Sequence, residues 1–197
     1  MPCLDASKRA IVVSIPGVGK TTVITRAADI LNENGVDAKV VVFGTIMFEE
    51  AQKLGINHRD ELRKMPVEDQ KKLQDMAAHR IAHMTAKVVM IDTHLFISTK
   101  QGYYPGLPVS LLNILKPTNF VMIAAEPKEI LARRLNDKTR DRDIKNEGDI
   151  KDELEISQIM VASCSILTGA PFTIVMNSDG KLDEAALQIV NALGDRN

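Results

Sequence analysis

Arg9 to Thr22 reads R-A-I-V-V-S-I-P-G-V-G-K-T-T, and this stretch decides the fold. Ala10 to Val13 is a short apolar run, the pattern of a buried strand. It breaks into a Pro/Gly bend, and Lys20, Thr21 and Thr22 open a helical pattern at once. A buried strand that turns through glycines into a helix builds a phosphate cradle. Its backbone N–H groups face inward, and the positive end of the helix dipole points the same way. The lysine of such a loop reaches the terminal phosphates, and the following hydroxyl is placed to hold magnesium. Here those are Lys20 and Thr21, with Ile15, Pro16, Gly17, Val18, Gly19 and Thr22 completing the loop. Ser14 stands where the usual pattern has its first glycine, while Gly17 and Gly19 supply the freedom for positive φ. The plain alternative is an ordinary strand–turn–helix with a surface lysine. Gly-x-Gly-Lys-Thr-Thr between a strand and a helix argues against it.

Working outward, Val23, Ile24, Ala27, Ala28 and Leu31 mark one buried helical face, closed by Asn34-Gly35. Ala38 to Phe43 reads as a second strand ended by Gly44-Thr45. Helical stretches follow at Ile46 to about Leu54 and Arg59 to Lys64, then a longer one from Pro66 to about Ala86. Lys87 to Asp92 is a third strand that ends on a carboxylate. The loop from Thr93 to Pro108 is too long to be mere connection. A short helix, Val109 to Leu115, leads to a fourth strand, Asn119 to Ala124, and a helix from Pro127 to about Asn136. A charged stretch D-K-T-R-D-R-D comes next, then a helix from about Asp149 to Leu167 that stops at Gly169. Phe172 to Asn177 is a fifth strand and Leu182 to Leu193 the last helix. Strands that alternate with helices and are nearly all apolar belong to a parallel sheet covered on both faces. The expected fold is therefore α/β: a three-layer P-loop NTPase-type domain with a five-stranded parallel sheet. Ligands in such sheets bind beyond the carboxyl ends of the strands.

The totals agree with one soluble domain over all 197 residues, with 45% apolar and 26% charged side chains. A net charge of −1 excludes a general nucleic-acid or membrane-surface binder, which needs excess positive charge. Cys3 and Cys164 are too few for a disulfide framework, so a cytoplasmic setting is expected. The N-terminus has no apolar signal region, and no apolar run approaches the roughly 20 residues that span a bilayer.

Chemistry is then sought after each strand. Asp92 ends the third strand where phosphate-loop enzymes keep the acid that serves magnesium; a turn cap is its plainer role. No glutamate follows it, as ATP-hydrolysing motors require, and no Asn-Lys-x-Asp guanine-reading motif exists. Arg133, Arg134, Lys138, Arg140 and Arg142 cluster after the fourth strand, and arginine forks match the equatorial oxygens of a phosphoryl group in transfer. The interleaved Asp137, Asp141 and Asp143 suit a solvated salt-bridge surface equally. Arg59 and Arg63, with Thr45 before them, face the site from the other side, either on an acceptor phosphate or as an exposed i, i+4 pair. His94 lies two residues past Asp92, placed to orient a phosphate or a magnesium-bound water, whereas His79 and His83 read as helix-surface or packing residues. Tyr103 and Tyr104 either stack on a base or pack their own loop.

With P-G-V-G-K-T-T, I-D-T-H, G-Y-Y-P-G-L-P and T-R-D-R-D in this order, the chain resembles the archaeal adenylate kinases from first strand to last helix. The resemblance implies reversible Mg-dependent transfer of the γ-phosphoryl of ATP to AMP, giving two ADP. It implies that Gly17 to Thr22 bind ATP phosphates and that Asp92 serves magnesium. Arg134, Arg140 and Arg142 would belong to a short lid at about 137–148. Thr45, Arg63 and the loop of Gly102, Tyr103 and Tyr104 would face AMP in a helical region at about 45–86. It also implies a homotrimer. Such kinases carry a basic residue near Ser98, for which Lys100 two positions later is the candidate substitute, and Gln158 lies about where the helix after the lid commonly contributes an arginine. Other readings on the same motifs are another small P-loop kinase, an adenylate-kinase-like ATPase, and a regulator that binds nucleotide without turnover.

Overall fold

A computed structural model of the chain describes residues 7–99, 102–136 and 146–194. Its elements run β1 (Lys8–Val13), α1 (Lys20–Glu33), β2 (Ala38–Val42), α2 (Phe43–Lys53), α3 (Arg59–Lys64), α4 (Val67–Ala82), β3 (Val88–Asp92). There follow β4 (Phe96–Thr99), β5 (Gly102–Pro105), α5 (Val109–Leu115), β6 (Asn119–Ala124), α6 (Pro127–Asn136), α7 (Glu147–Thr168), β7 (Phe172–Met176) and α8 (Leu182–Leu193). Five strands form the expected parallel sheet, ordered β2–β3–β1–β6–β7, and β4 and β5 make a separate antiparallel hairpin.

Strand side chains alternate between two cores. Ala10, Val12, Met90, Val121 and Ile123 pack with Val23, Ile24 and Ala27 of α1 and Ala185 and Ile189 of α8. Ile11, Val13, Val89, Ile91, Phe120 and Met122 pack on the other face with residues of α4, α5 and α7. β3 is buried at every position, as a strand covered on both faces must be, while the edge strands β2 and β7 leave Val42 and Met176 exposed. Register then places the site. Val12 of β1 and Val42 of β2 both pair with Asp92 of β3, so three strand ends come level. The chain leaves β1 for β2 on one side, and leaves β3 for β6 on the other. A crevice therefore opens between the carboxyl ends of β1 and β3.

Several boundaries differ from the sequence reading. β2 stops at Val42 and passes directly into α2, so Gly44 and Thr45 lie in the first helical turn. Phe43, Ile46 and Glu50 fall at i, i+3 and i+7 and are all buried, which makes Phe43 a helical core residue. α4 ends at Ala82 because the residues after it turn back to β1, where the Ser7 hydroxyl donates to the Ala86 carbonyl at 2.7 Å. The long loop after β3 holds the β4–β5 hairpin. It is closed by Gly106, whose N–H donates to the Leu95 carbonyl at 2.7 Å. α7 begins earlier than read, at Glu147, through a reciprocal cap between Asn146 and Asp149.

α2 and α4 are joined through the buried Glu50, which accepts from Lys53 at 2.7 Å and from Arg80 at 3.0 Å. The hydrogen bond from Lys53 chiefly, with those charges and Arg80, holds the Glu50 carboxyl below its usual range against the opposing effect of burial. A lowered folded-state value means this stability is present above the unfolded carboxyl's value, about 4.3, and lost as pH falls through the folded one. Acid titration of thermal stability should therefore show a shallower acid limb in Glu50→Gln than in the parent. A second expectation concerns backbone space. A Cβ on Gly106 would stand 2.3 Å from the His94 carbonyl oxygen, whereas one on Gly44 meets nothing within 4 Å. Gly106→Ala should cost about 1–3 kcal/mol and Gly44→Ala should gain up to about 1 kcal/mol, both read by denaturant unfolding.

Candidate active site

The loop between β1 and α1 has the backbone a cradle needs. Gly17 (φ 93°) and Gly19 (φ 82°) are left-handed, and Gly19 caps α1. Lys116 is the one non-glycine with positive φ among the described residues, so Ser14 sits at the strand end without strain and is buried there. The loop is gripped from outside. Asn177, just past β7, donates its side-chain amide to the Val18 carbonyl at 2.7 Å, and Arg133 of α6 donates Nη1 to the same oxygen at 3.2 Å. Arg134 donates Nε to the Pro16 carbonyl at 2.9 Å, and its Nη2 pairs with Glu153 of α7 at 3.2 Å. A Cβ at Gly17 would strike the Arg134 side chain at 2.9 Å, and one at Gly19 the Asn177 amide at 2.7 Å. Both glycines are thus required twice, by φ and by crowding.

Lys20 begins α1 and crosses the crevice. Its ammonium pairs with the Asp92 carboxylate and donates to the Thr93 carbonyl at 2.6 Å, and both charged side chains are buried. Burial holds the Lys20 ammonium below its usual value, and the charge and hydrogen bond of Asp92 push back upward. Thr21 lines the same cleft. The Thr21 hydroxyl and the Asp92 carboxylate are hard oxygen donors of the kind magnesium takes. No group of three or more His, Cys, Asp and Glu suited to a metal occurs among the described residues. That donor set fits an ion held mostly by phosphate and water, as magnesium in nucleotide enzymes is.

The cleft measures about 670 Å³. The phosphate loop, Lys20 and Arg133 form one wall, and Arg59, Val42, Asp92 and His94 complete it. Arg59 is steered there from α3: it donates Nη2 to the Thr45 hydroxyl at 3.1 Å and lies 5.4 Å over the Phe48 ring. A second cavity of about 450 Å³ shares Ser14, Ile15, Pro16 and His94, and runs on between Phe96 to Ser98 and the Glu153 and Ser157 side of α7. A third, about 210 Å³, continues past Gly19 and Thr22 between Arg133 and the turn after Asn177.

Of the residues picked from sequence, Lys20, Thr21, Thr22, Asp92 and His94 converge on the cleft. Arg134 instead sits against the outside of the loop. Thr45 meets the cleft through Arg59, and Arg63 is a residue of α3 whose side chain lies outside those described. Gly102, Tyr103 and Tyr104 lie on β5 and line none of the three cavities. Tyr103 packs edge-on against Phe96, rings 4.8 Å apart at 75°. Lys100, Lys138, Arg140 and Arg142 fall outside the described residues. His79 is exposed on α4 and His83 is exposed at its C-cap. Sequence reasoning missed Asn177 and Glu153. Asn177 carried a signal, since the sequence reads it as the last residue of its strand, as it does Asp92. Glu153 carried one only in hindsight of periodicity, lying with Ile150, Ser157, Val161 and Cys164 on the buried stripe of α7.

Residues 13–151 match the family described as AAA domain. The chain is 41% identical to the adenylate kinase of Methanocaldococcus jannaschii over 189 residues, 95% of this chain and 98% of that one. It is 40% identical to that of Sulfurisphaera tokodaii (94% and 99%) and 41% identical to that of Pyrococcus horikoshii (93% and 93%). Among solved structures it is similar to shikimate kinases. One is from Acinetobacter baumannii (TM-score 0.60, 17% identity, 96% of this chain and 94% of that one) and one from Aquifex aeolicus (0.55, 17%, 94% and 95%). These last share the fold. Identity of about two residues in five along nearly the whole length, on a chain whose first strand opens into a phosphate cradle, shows that it belongs to the adenylate kinase family of phosphotransferases.

Proposed function

We propose that the chain transfers the terminal phosphoryl group of ATP to AMP, reversibly, giving two ADP. One observation carries this reading: the phosphate loop, Lys20 and Asp92 share a cleft of about 670 Å³ with Arg59 and His94, space enough for a second phosphate beside the first. The donor phosphates lie on the Gly17 to Thr22 backbone at the start of α1, where amides and helix dipole favour negative charge. The third cavity, beside Arg133, takes the rest of the donor nucleotide. AMP presents its phosphate from the Arg59 and His94 side, with Thr45, Arg63 and the Gly102, Tyr103 and Tyr104 hairpin around it.

An oxygen of the AMP phosphate attacks the γ-phosphorus as the β–γ bridging oxygen leaves. That nucleophile is already anionic, so no general base is required, only alignment and charge compensation. Lys20 supplies one positive charge at fixed position, and its tether to Asp92 and Thr93 means it costs little reorganisation when charge builds. Magnesium bound by Thr21 and Asp92 with the phosphates would neutralise charge on the transferring oxygens. Arg134, Arg140 and Arg142 complete the reading as cations of the lid side. Cytoplasmic residence and assembly as a homotrimer belong to the same proposal; no helix among the described residues is long and apolar enough to cross a membrane.

A coupled assay offering AMP, CMP, UMP, GMP or no acceptor tests this. ADP should form rapidly with AMP and at background rate without acceptor. Equal ADP formation without acceptor would make the chain an ATPase, and ATP binding without turnover a regulator. For the site itself, Lys20→Ala should lower kcat by about 10³-fold or more. It should also lower stability by about 3 kcal/mol, because it leaves Asp92 buried and uncompensated. Combining Lys20→Met with Asp92→Asn should restore most of the melting temperature and none of the turnover.

A further inference from the structure

Two alternate carbonyls of the phosphate loop, Pro16 and Val18, are held by side chains of neighbouring elements, Arg134 of α6 and Asn177 just past β7. Within one peptide plane the C=O and the following N–H point in opposite directions. Fixing the Pro16 carbonyl on Arg134 therefore fixes the direction of the Gly17 N–H, opposite to that carbonyl, and fixing the Val18 carbonyl on Asn177 does the same for the Gly19 N–H. Both glycines sit in left-handed conformations whose peptide planes would otherwise be free to flip.

We propose that Asn177 is a positioning residue for phosphoryl transfer, setting the Gly19 amide through the Val18 carbonyl. The inference rests on the reading of the cleft as an ATP site and adds to it a residue with no direct part in the chemistry. Four observations converge. The Asn177 side chain is buried and donates Nδ2 to Val18 O at 2.7 Å. It is packed so closely on Gly19 that a methyl there has no room. Its own backbone is fixed to the sheet, its N–H donating to the Ala124 carbonyl at the end of β6 at 2.8 Å. Its carbonyl accepts from Arg133 Nη2 at 2.9 Å, and Arg133 is in turn tied to Asp179. The loop amide is therefore referenced to the rigid sheet through a side chain of two rotatable bonds. Preorganised donors of this kind stabilise developing charge without reorganising at the moment of reaction.

The alternative is that Asn177 merely fills space and ties β7 to the loop. Because Arg133 also donates to Val18 O, removing the amide leaves that carbonyl with a partner. Asn177→Ala should accordingly keep its melting temperature within a few degrees of the parent. Its kcat/KM with ATP and AMP should fall about 10–100-fold, chiefly in kcat, as a misplacement of an ångström or less can cause. Asn177→Asp keeps the shape and sets oxygen against oxygen, so it should be at least as impaired as the alanine variant. The direct readout is the Gly19 backbone amide in ¹⁵N-resolved NMR spectra, titrated with inorganic tripolyphosphate. The parent should show a large Gly19 shift at saturation, and both variants a clearly smaller one. Parent-like turnover in Asn177→Asp, or an unchanged Gly19 shift in both variants, would overturn the proposal. A parent that shifts Gly19 with tripolyphosphate yet transfers nothing from ATP to AMP would sink the kinase reading while leaving the amide argument standing.

Discussion

A lysine at the start of α1 and an aspartate at the end of β3, both buried, hold the rest of this molecule to its arrangement. Neither charge would be stable there alone, since the desolvation of one unpaired ion costs several kcal/mol. Together they require Lys20 to stand at the start of α1 and Asp92 at the last position of β3. They also require β1 and β3 to be neighbours in register, with Val12 opposite Asp92. Two apolar cores on either face of the sheet supply the burial, and parallel pairing supplies the level strand ends. The pair costs stability relative to an apolar substitute, and it persists where a phosphate has to be met.

The same division of labour runs through the loop. Its carbonyls at Pro16 and Val18 are held by side chains of α6 and of Asn177, just past β7. A glycine-rich turn left to itself would sample many conformations, because glycine gives up more freedom on folding than any other residue. Fixing it from outside keeps the inner face clear for ligand while removing that freedom. Arg134 takes part in this grip, bridging the Pro16 carbonyl and Glu153, so an arginine that sequence assigns to the phosphates also links the loop to α7.

How far this was legible beforehand follows from what each signal depends on. The strand-bend-helix at Arg9 to Thr22 and the carboxylate at Asp92 are local patterns, and both were readable because apolar runs and glycines report local backbone directly. The five strands were readable for the same reason. The end of β2 was not, since Phe43 is equally apolar as the last residue of a strand or the first of a helix, and only packing beside Ile46 decides. The hairpin after β3 escaped because four-residue strands at a surface lack an apolar run. Arg59 was read on the site side together with Thr45, whereas Asn177 owes its place to a contact with Val18 across most of the chain. No spacing within the sequence encodes such contacts.

The departures at Ser98 and at Gln158 of α7, which contains no arginine, then acquire a physical meaning. A site that works by charge compensation can lose a cation and keep its rate only if the remaining donors are better placed. Here the buried lysine is pinned by two oxygens, and the loop amides are pinned through their carbonyls. Arg59 is stacked on Phe48 and bonded to Thr45. Each of these donors has exchanged freedom for direction. In a cleft where burial lowers the effective dielectric, direction matters more than number, because an oriented donor at contact distance outweighs a mobile charge screened by water. The enzyme's chemistry is thus carried by rigidity at the strand ends, with phosphate charge as the load that the sheet is built to bear.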